Sequence, residues 1–336
     1  MILIRADANE QIGTGHVMRC MSLAWEFVKH GQKLIFVTAD HSGDELIKQK
    51  GFQSVCIDSE WTEMDSEIEA LKRVIDKYDT NLLLVDSYYV TKEYFNELSE
   101  MVNTAYFDDM NISCWNIDFL INYNIFATIF DYSEYDRTRT QLLLGPQYTP
   151  LRKEFRNLPK HETRNHVKDI LISAGGADPE HITERIMNGI CSEMLDVRFH
   201  FVIGALNPRL EYIINISRDK ENVVLHINEN HMSDLMMKCD LAISAAGTTL
   251  YELCAAGIPT ITYSLADNQL VAAEQFNRKE IMLSLGDCRN NESFIDQIKF
   301  AESTMDYSTR KKLSERMQCF VDGNGSERIV NEIMHI

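Results

Sequence analysis

Short, continuous apolar runs alternate with amphipathic stretches along the whole chain. The first, MILI at residues 1–4, reads as a buried parallel strand. Gly13 and Gly15 bracket a tight turn, and from His16 onward Val17, Met18, Met21, Leu23, Ala24, Trp25, Phe27 and Val28 recur at helical spacing. The same rhythm predicts strands over 33–39, 54–58, 81–89, 104–110 and 119–124. Helices are predicted over 44–50, 64–78 and 91–102, the second carrying Ile68, Leu71, Val74 and Ile75 on one face.

The pattern breaks over 147–165, which is charged, contains Pro150 and Pro159, and lacks a long apolar run. This stretch reads as a linker region, with 155–165 able to permit domain closure. A second alternation follows, with strands over 169–178, 197–204, 222–227, 240–247, 260–265 and 281–285. Between them lie helices over 179–194, from about 209, and over 232–238, 249–256 and 267–276. Pro179 suits a first helical turn. From 291 the chain reads as helical to its end, apart from Gly323 and Gly325.

Strands alternating with helices argue an α/β chain with a doubly wound parallel sheet in each half. The expected domains are 1–155 and 165–336, both Rossmann-like, with the last helix packing back on the first. Polar loops should cluster at the carboxyl ends of the strands. The halves share architecture and no residue-level repeat.

Composition then narrows the partners. A chain of 336 residues can build two full cores. Its formal net charge of -18 repels nucleic acid and anionic membrane on average. The eight cysteines form no CxxC pair, which removes support for a zinc site or redox dithiol and suits a reducing compartment. Strand one begins at once, so no signal peptide is expected, and no apolar run reaches membrane-spanning length. A soluble cytoplasmic protein is expected. Asp108 and Asp109 are adjacent, so they point to opposite sides of an extended strand end and make a poor shared metal site. No metal requirement is expected.

Several polar groups sit where an α/β sheet places chemistry. His16, at the mouth of the first helix, reads either as a catalytic base or as a capping or hydrogen-bonded structural histidine. Asp86 ends a strand and can orient His16, while Tyr88 can hold a water or a sugar hydroxyl; the alternative is a solvated loop. Gly175 and Gly176 are a candidate phosphate cradle before a helix N-terminus, or a plain turn. Ser244, Gly247, Thr248 and Glu252 suit a ribose site, with Glu252 accepting both hydroxyls, and equally suit a capping box. Asn268 and Gln269 suit sugar or phosphate, or an ordinary helix start. No glycine turn matches a P-loop or a full GxGxxG, so neither ATP hydrolysis nor a dinucleotide is expected.

Six stretches occur in order: IGTGHVMRC at 12–20, DSY at 86–88, YTPLRKEF at 148–155, GGAD at 175–178, SAAGTTLYE at 244–252 and DNQ at 267–269. Together they resemble the UDP-2,4-diacetamido-2,4,6-trideoxy-β-L-altropyranose hydrolases of pseudaminic acid biosynthesis, over nearly the whole chain. The glycine pair and the SxxGTxxxE stretch are shared more widely, with the glycosyltransferases of the peptidoglycan lipid intermediate. The resemblance implies the glycosyltransferase-B fold, two domains facing across a cleft, with uridine nucleotide on the C-terminal one. It implies His16 as the group that activates water at the anomeric carbon, with inversion and UDP leaving, and Tyr88 as its helper. Gly175 and Gly176 would cradle the diphosphate, Glu252 the ribose, and Asn268 and Gln269 the phosphate or sugar. Gly13, Gly15, Arg19, Asp86, Asp109, Ser244, Gly247 and Thr248 complete the candidate substrate-binding set. The chain departs from the family pattern at Ser87, where members often carry histidine, which bears on sugar identity more than on reaction type. No cofactor is implied beyond the UDP-sugar. The rival readings are an inverting glycosyltransferase of the same fold, a nucleotide-sugar binding protein without turnover and, more weakly, a hydrolysing 2-epimerase.

Overall fold

The structure is a computed structural model and describes residues 1–9, 11–176, 178–204 and 207–335. The chain forms two compact units: Met1–Arg152 with Asn324–Ile336, and Lys153–Gly323. The first therefore ends three residues before the expected boundary, and the second begins twelve residues before its own.

In the first unit, β1 (Ile2–Ala6), α1 (Gly15–Lys29), β2 (Leu34–Thr38), α2 (Asp44–Gln49), β3 (Ser54–Cys56), α3 (Ile68–Lys77) and β4 (Leu82–Asp86) follow in order. They are followed by α4 (Lys92–Leu98), β5 (Asn103–Phe107), β6 (Phe119–Asn122) and β7 (Gln141–Leu144). The sheet runs β3-β2-β1-β4-β5-β6-β7, every pair parallel. The order reverses between β1 and β4, whose register pairs Ala6 with Asp86. Loops leaving the carboxyl ends of those two strands therefore diverge and leave a crevice, the ordinary ligand position of such sheets.

The second unit repeats the plan. β8 (Asp169–Ser173), α5 (Ile182–Gly189), β9 (Arg198–Ile203), α6 (Leu210–Ser217), β10 (Val223–Ile227), α7 (Met232–Met236) and β11 (Leu241–Ala245) come first. α8 (Thr249–Ala256), β12 (Thr260–Ser264), α9 (Asp267–Arg278), β13 (Leu283–Asp287), α10 (Phe294–Ser303) and α11 (Tyr307–Phe320) complete it. Its parallel order is β10-β9-β8-β11-β12-β13, reversing between β8 and β11.

Several elements differ from the expectation. β1 continues through Arg5, which is fully buried because Glu67 accepts from its Nε and Nη2 at 2.7 and 2.8 Å and Asp7 from its Nη1 at 2.5 Å. The helix expected over 64–78 opens as a 3-10 turn at Met64–Glu67, which carries Glu67 into that pairing. β7 was not anticipated. The helix expected over 179–194 is only Ile182–Gly189.

The last helix, α12 (Gly325–Met334), belongs to the first unit and packs against α1. Its approach requires glycine, since a Cβ on Gly325 would meet the carbonyl oxygen of Thr149 at 2.1 Å. Gly325→Ala should therefore lift α12 from its seat and destabilise the protein by about 2 kcal/mol. A fall in the urea midpoint of unfolding checks this; an unchanged midpoint contradicts the seating.

Candidate active site

The turn between β1 and α1 is built by its own backbone. The Gly13 amide donates to the Asn9 carbonyl at 2.8 Å, and Asn9 Oδ1 accepts from the amides of Gln11 and Ile12. Gly13 adopts a φ of 70°, a region that favours glycine, and a Cβ at Gly13 or Gly15 would meet nothing within 4 Å. The space beside the turn is open. Thr14 makes no side-chain cap on α1, and His16 is one residue into the helix, so the capping alternative for His16 does not hold.

His16 is instead held by Asp86 across the reversal of strand order. Its Nδ1 lies 2.5 Å from Asp86 Oδ1, and both residues are buried. Arg19, one turn along α1, donates to the same carboxylate through Nε and Nη2, both at 2.5 Å. Burial alone would raise the Asp86 pKa; Arg19 and then His16 outweigh it and hold the carboxyl well below the usual range. An ionised carboxylate only accepts, so Nδ1 carries the proton shared with Asp86, and Nε2 is the ring's other nitrogen. No described residue takes that Nε2 in a hydrogen bond, and it is not among the sealed polar atoms.

Arg19 extends the network to β5. Its Nη1 donates to Asp109 at 2.7 Å and to the Tyr123 hydroxyl at 3.2 Å, and its guanidinium lies over the Phe107 ring at 4.7 Å. The Tyr88 hydroxyl donates to Asp109 at 3.3 Å, and its ring meets His16 edge-on with centroids 4.7 Å apart. Burial and then Asp109 push the Tyr88 phenol well up, so it stays protonated. Tyr88 is 42% exposed. Asp108 points the other way, accepting from the Met110 and Asn111 amides and from Trp115 Nε1. The two adjacent aspartates thus face opposite sides.

Sequence reasoning missed Asn124, whose Nδ2 donates to Asp109 at 2.8 Å, together with Tyr123 and Phe107. The signal was available in the polar N-Y-N ending of the sixth apolar run.

In the second unit the turns after β8 and β11 flank the reversal of order. A Cβ on Gly175, Gly176 or Gly247 would meet nothing within 4 Å, so the backbone of all three is approachable. Ala177, inside the GGAD motif, lies outside the described residues. The helix N-terminus expected to serve the glycine pair is already filled. Asp178 accepts from the amides of Ile182 and Thr183 at 2.8 and 3.0 Å. That helix end holds a carboxylate of its own, which corrects the expectation of a free phosphate position there.

Thr248 opens α8 without a side-chain cap, so the capping-box alternative loses its threonine arm. Gly247 and Thr248 are exposed and Glu252 is half-buried. Ser244 is not with them: it is buried within β11 and its hydroxyl donates to the Ala245 carbonyl. Asn268 is exposed at the start of α9, while Gln269 Oε1 accepts from the Leu265 amide at 2.8 Å and so shapes the turn.

No model of a known protein family matches the sequence. An uncharacterised Methanocaldococcus jannaschii protein is 26% identical over 80% of the chain, of which the chain spans only 56%. The spore coat polysaccharide biosynthesis protein SpsG of Bacillus subtilis is 26% identical over 97% of the chain and 95% of its own length. The UDP-2,4-diacetamido-2,4,6-trideoxy-β-L-altropyranose hydrolase of Campylobacter jejuni is 25% identical over 75% of the chain and 86% of its own length. The chain is a relative of that hydrolase.

Among solved structures, Acinetobacter baumannii MurG superposes with a TM-score of 0.75 over 100% of the chain and 99% of its own, at 13% identity. The spinosyn rhamnosyltransferase SpnG gives 0.68 over 98% and 99%, also at 13%. These likenesses show the fold, which is of the glycosyltransferase-B type. Among the described residues no helix is long and apolar enough to cross a membrane.

Asp86 carries a prediction about stability. Its folded pKa lies below its unfolded one, so the stability it contributes is complete above the ordinary aspartate value of about 3.9 and is lost as pH falls through the lowered value. Asp86→Asn should destabilise by about 3–5 kcal/mol at pH 7, because Arg19 loses a buried partner. The deficit against the parent should narrow in acid. Urea unfolding across pH checks this, and a deficit constant with pH contradicts it.

Proposed function

We propose that the chain is a metal-independent UDP-sugar hydrolase that releases UDP and a 2,4-diacetamido-2,4,6-trideoxyhexose. The broader statement, an enzyme that processes nucleotide-sugars, is supported by the names of the Campylobacter and Bacillus relatives. The narrower one rests on a single observation: a buried histidine locked through Nδ1 to an ionised aspartate, with Nε2 open.

In the proposed reaction, water donates a proton to His16 Nε2 as its oxygen attacks the anomeric carbon. The bond from that carbon to the phosphate oxygen breaks, UDP leaves with the electron pair, and the configuration inverts. Asp86 stays ionised and stabilises the imidazolium. Tyr88 donates to Asp109, so its oxygen lone pairs accept from the water or a sugar hydroxyl. All the Arg19 contacts named above are to Asp86, Asp109, the Tyr123 hydroxyl and the Phe107 ring, which favours a positioning role over a substrate contact. For the nucleotide, Gly175 and Gly176 offer backbone amides to the diphosphate, and the start of α8 at Gly247 and Thr248, where the Thr248 side chain makes no cap, offers a helix N-terminus. Glu252 is assigned to the ribose, and Asn268 and Gln269 to phosphate or sugar. The place in metabolism is nonulosonic acid synthesis for surface polysaccharide or flagellin glycosylation.

A second reading, an inverting glycosyltransferase in which His16 deprotonates an acceptor hydroxyl, is favoured by the fold likeness to MurG.

UDP release from a panel of UDP-sugars, without acceptor, separates them. The hydrolase reading expects release from one 2,4-diacetamido sugar and a loss of about 10²–10⁴-fold in His16→Ala. Release only on addition of an acceptor makes the chain a transferase. Binding without turnover, unchanged in His16→Ala, makes it a binding protein. Independently, Glu252→Ala should weaken UDP about tenfold or more in calorimetry; unchanged affinity removes Glu252 from the ribose.

A further inference from the structure

Away from the His16 site, the first unit brings three chemically different metal ligands together. β2 and β3 are parallel neighbours with Thr38 opposite Cys56, so the chain leaving each strand emerges side by side. His41 follows β2, and Asp58 follows Cys56 in a left-handed conformation with φ 52°. The Ala39 carbonyl ties the two exits, accepting from the Ser59 amide at 3.0 Å and from Cys56 Sγ at 3.5 Å. One ligand atom from each of His41, Cys56 and Asp58 lies within 4.8 Å of the other two.

We propose that His41, Cys56 and Asp58 form a binding site for a divalent cation of the zinc class. Cys56 Sγ and Asp58 Oδ1 are 3.4 Å apart. A tetrahedral zinc at about 2.3 Å from sulfur and about 2.0 Å from oxygen separates those two atoms by about 3.5 Å. A thiolate, an imidazole and a carboxylate together select a borderline metal rather than calcium or magnesium.

The surroundings suit a cation. The charges that act on His41 are the carboxylates of Asp44, Asp58 and Asp40; those that act on Cys56 are Asp58 and Asp44. Asp44 accepts from His41 Nδ1 at 2.6 Å and is itself held by Ser54 Oγ at 2.6 Å. That hydrogen bond occupies Nδ1 and leaves Nε2 as the ring nitrogen to ligate, with Asp44 as the carboxylate behind the imidazole. Three protein ligands leave the fourth position to water. As a ligand the Cys56 sulfur gives up its thiol proton. The cation displaces that proton, and affinity falls as pH falls.

The site is independent of the proposed sugar chemistry, and its test does not use activity. Metal-free full-length protein is titrated with Co2+, a spectroscopic stand-in for zinc, and then with Zn2+. The expected result is one equivalent bound with a thiolate-to-cobalt charge-transfer band, bleached by Zn2+. Cys56→Ser should abolish the band, while Cys319→Ser, at an exposed free cysteine, should keep it. His41→Ala and Asp58→Ala, both at exposed positions, should weaken binding about tenfold or more. Cobalt uptake without a thiolate band, or a band that survives in Cys56→Ser, overturns the proposal. So does unchanged affinity in both His41→Ala and Asp58→Ala.

Discussion

The first unit depends on how one carboxylate is shared. Asp86 closes β4 opposite Ala6, so it stands where the chain leaves β1 for the glycine turn and α1. Its two oxygens serve His16 and Arg19 at once. Neither bond is replaceable by water, because the carboxylate has no exposed side-chain surface. The result is a fixed tautomer, a fixed ring orientation and, through Arg19 and Asp109, a brace from the end of β4 to the end of β5. Removing the carboxylate would leave the buried Arg19 guanidinium with Asp109 as its remaining carboxylate partner, which costs more than the hydrogen bond itself contributes.

Both units place their polar turns where strand order reverses, yet they furnish those turns differently. The first fills the position with ionised and aromatic side chains around His16. The second leaves it to glycine backbone, with open space beside Gly175, Gly176 and Gly247. A reacting centre needs groups that accept and return protons, whereas a diphosphate needs amides that approach closely. The contrast matches the division of labour assigned to the two halves.

Much of this was legible before any coordinates. Buried parallel strands read as unbroken apolar runs, so nearly every strand and the doubly wound plan followed from them. His16 at a helix mouth and Asp86 at a strand end were visible because the fold fixes where such residues land. What stayed hidden depended on partners distant in sequence. Arg5 looked like the end of a strand because the residue that neutralises it, Glu67, is 62 positions away. β7 is four residues long and becomes a strand only by pairing with β6. The start of α5 looked free because Asp178 entered only as a letter of the GGAD stretch, and only geometry shows that it caps the helix. Asn124 reaches Asp109 across a strand end, which periodicity does not encode.

The seat of α12 has a consequence for how the protein is made. The helix that carries His16 leaves the ribosome before the second unit, and the helix that packs against it leaves after the whole of that unit. Domains commonly acquire structure as they are synthesised. Here the second unit is contiguous and can complete itself while translation continues. The first must wait with one flank of α1 uncovered. A nascent chain stalled before Gly325 would therefore hold a finished second half and an unfinished first, with the flank of α1 that meets α12 open to chaperones.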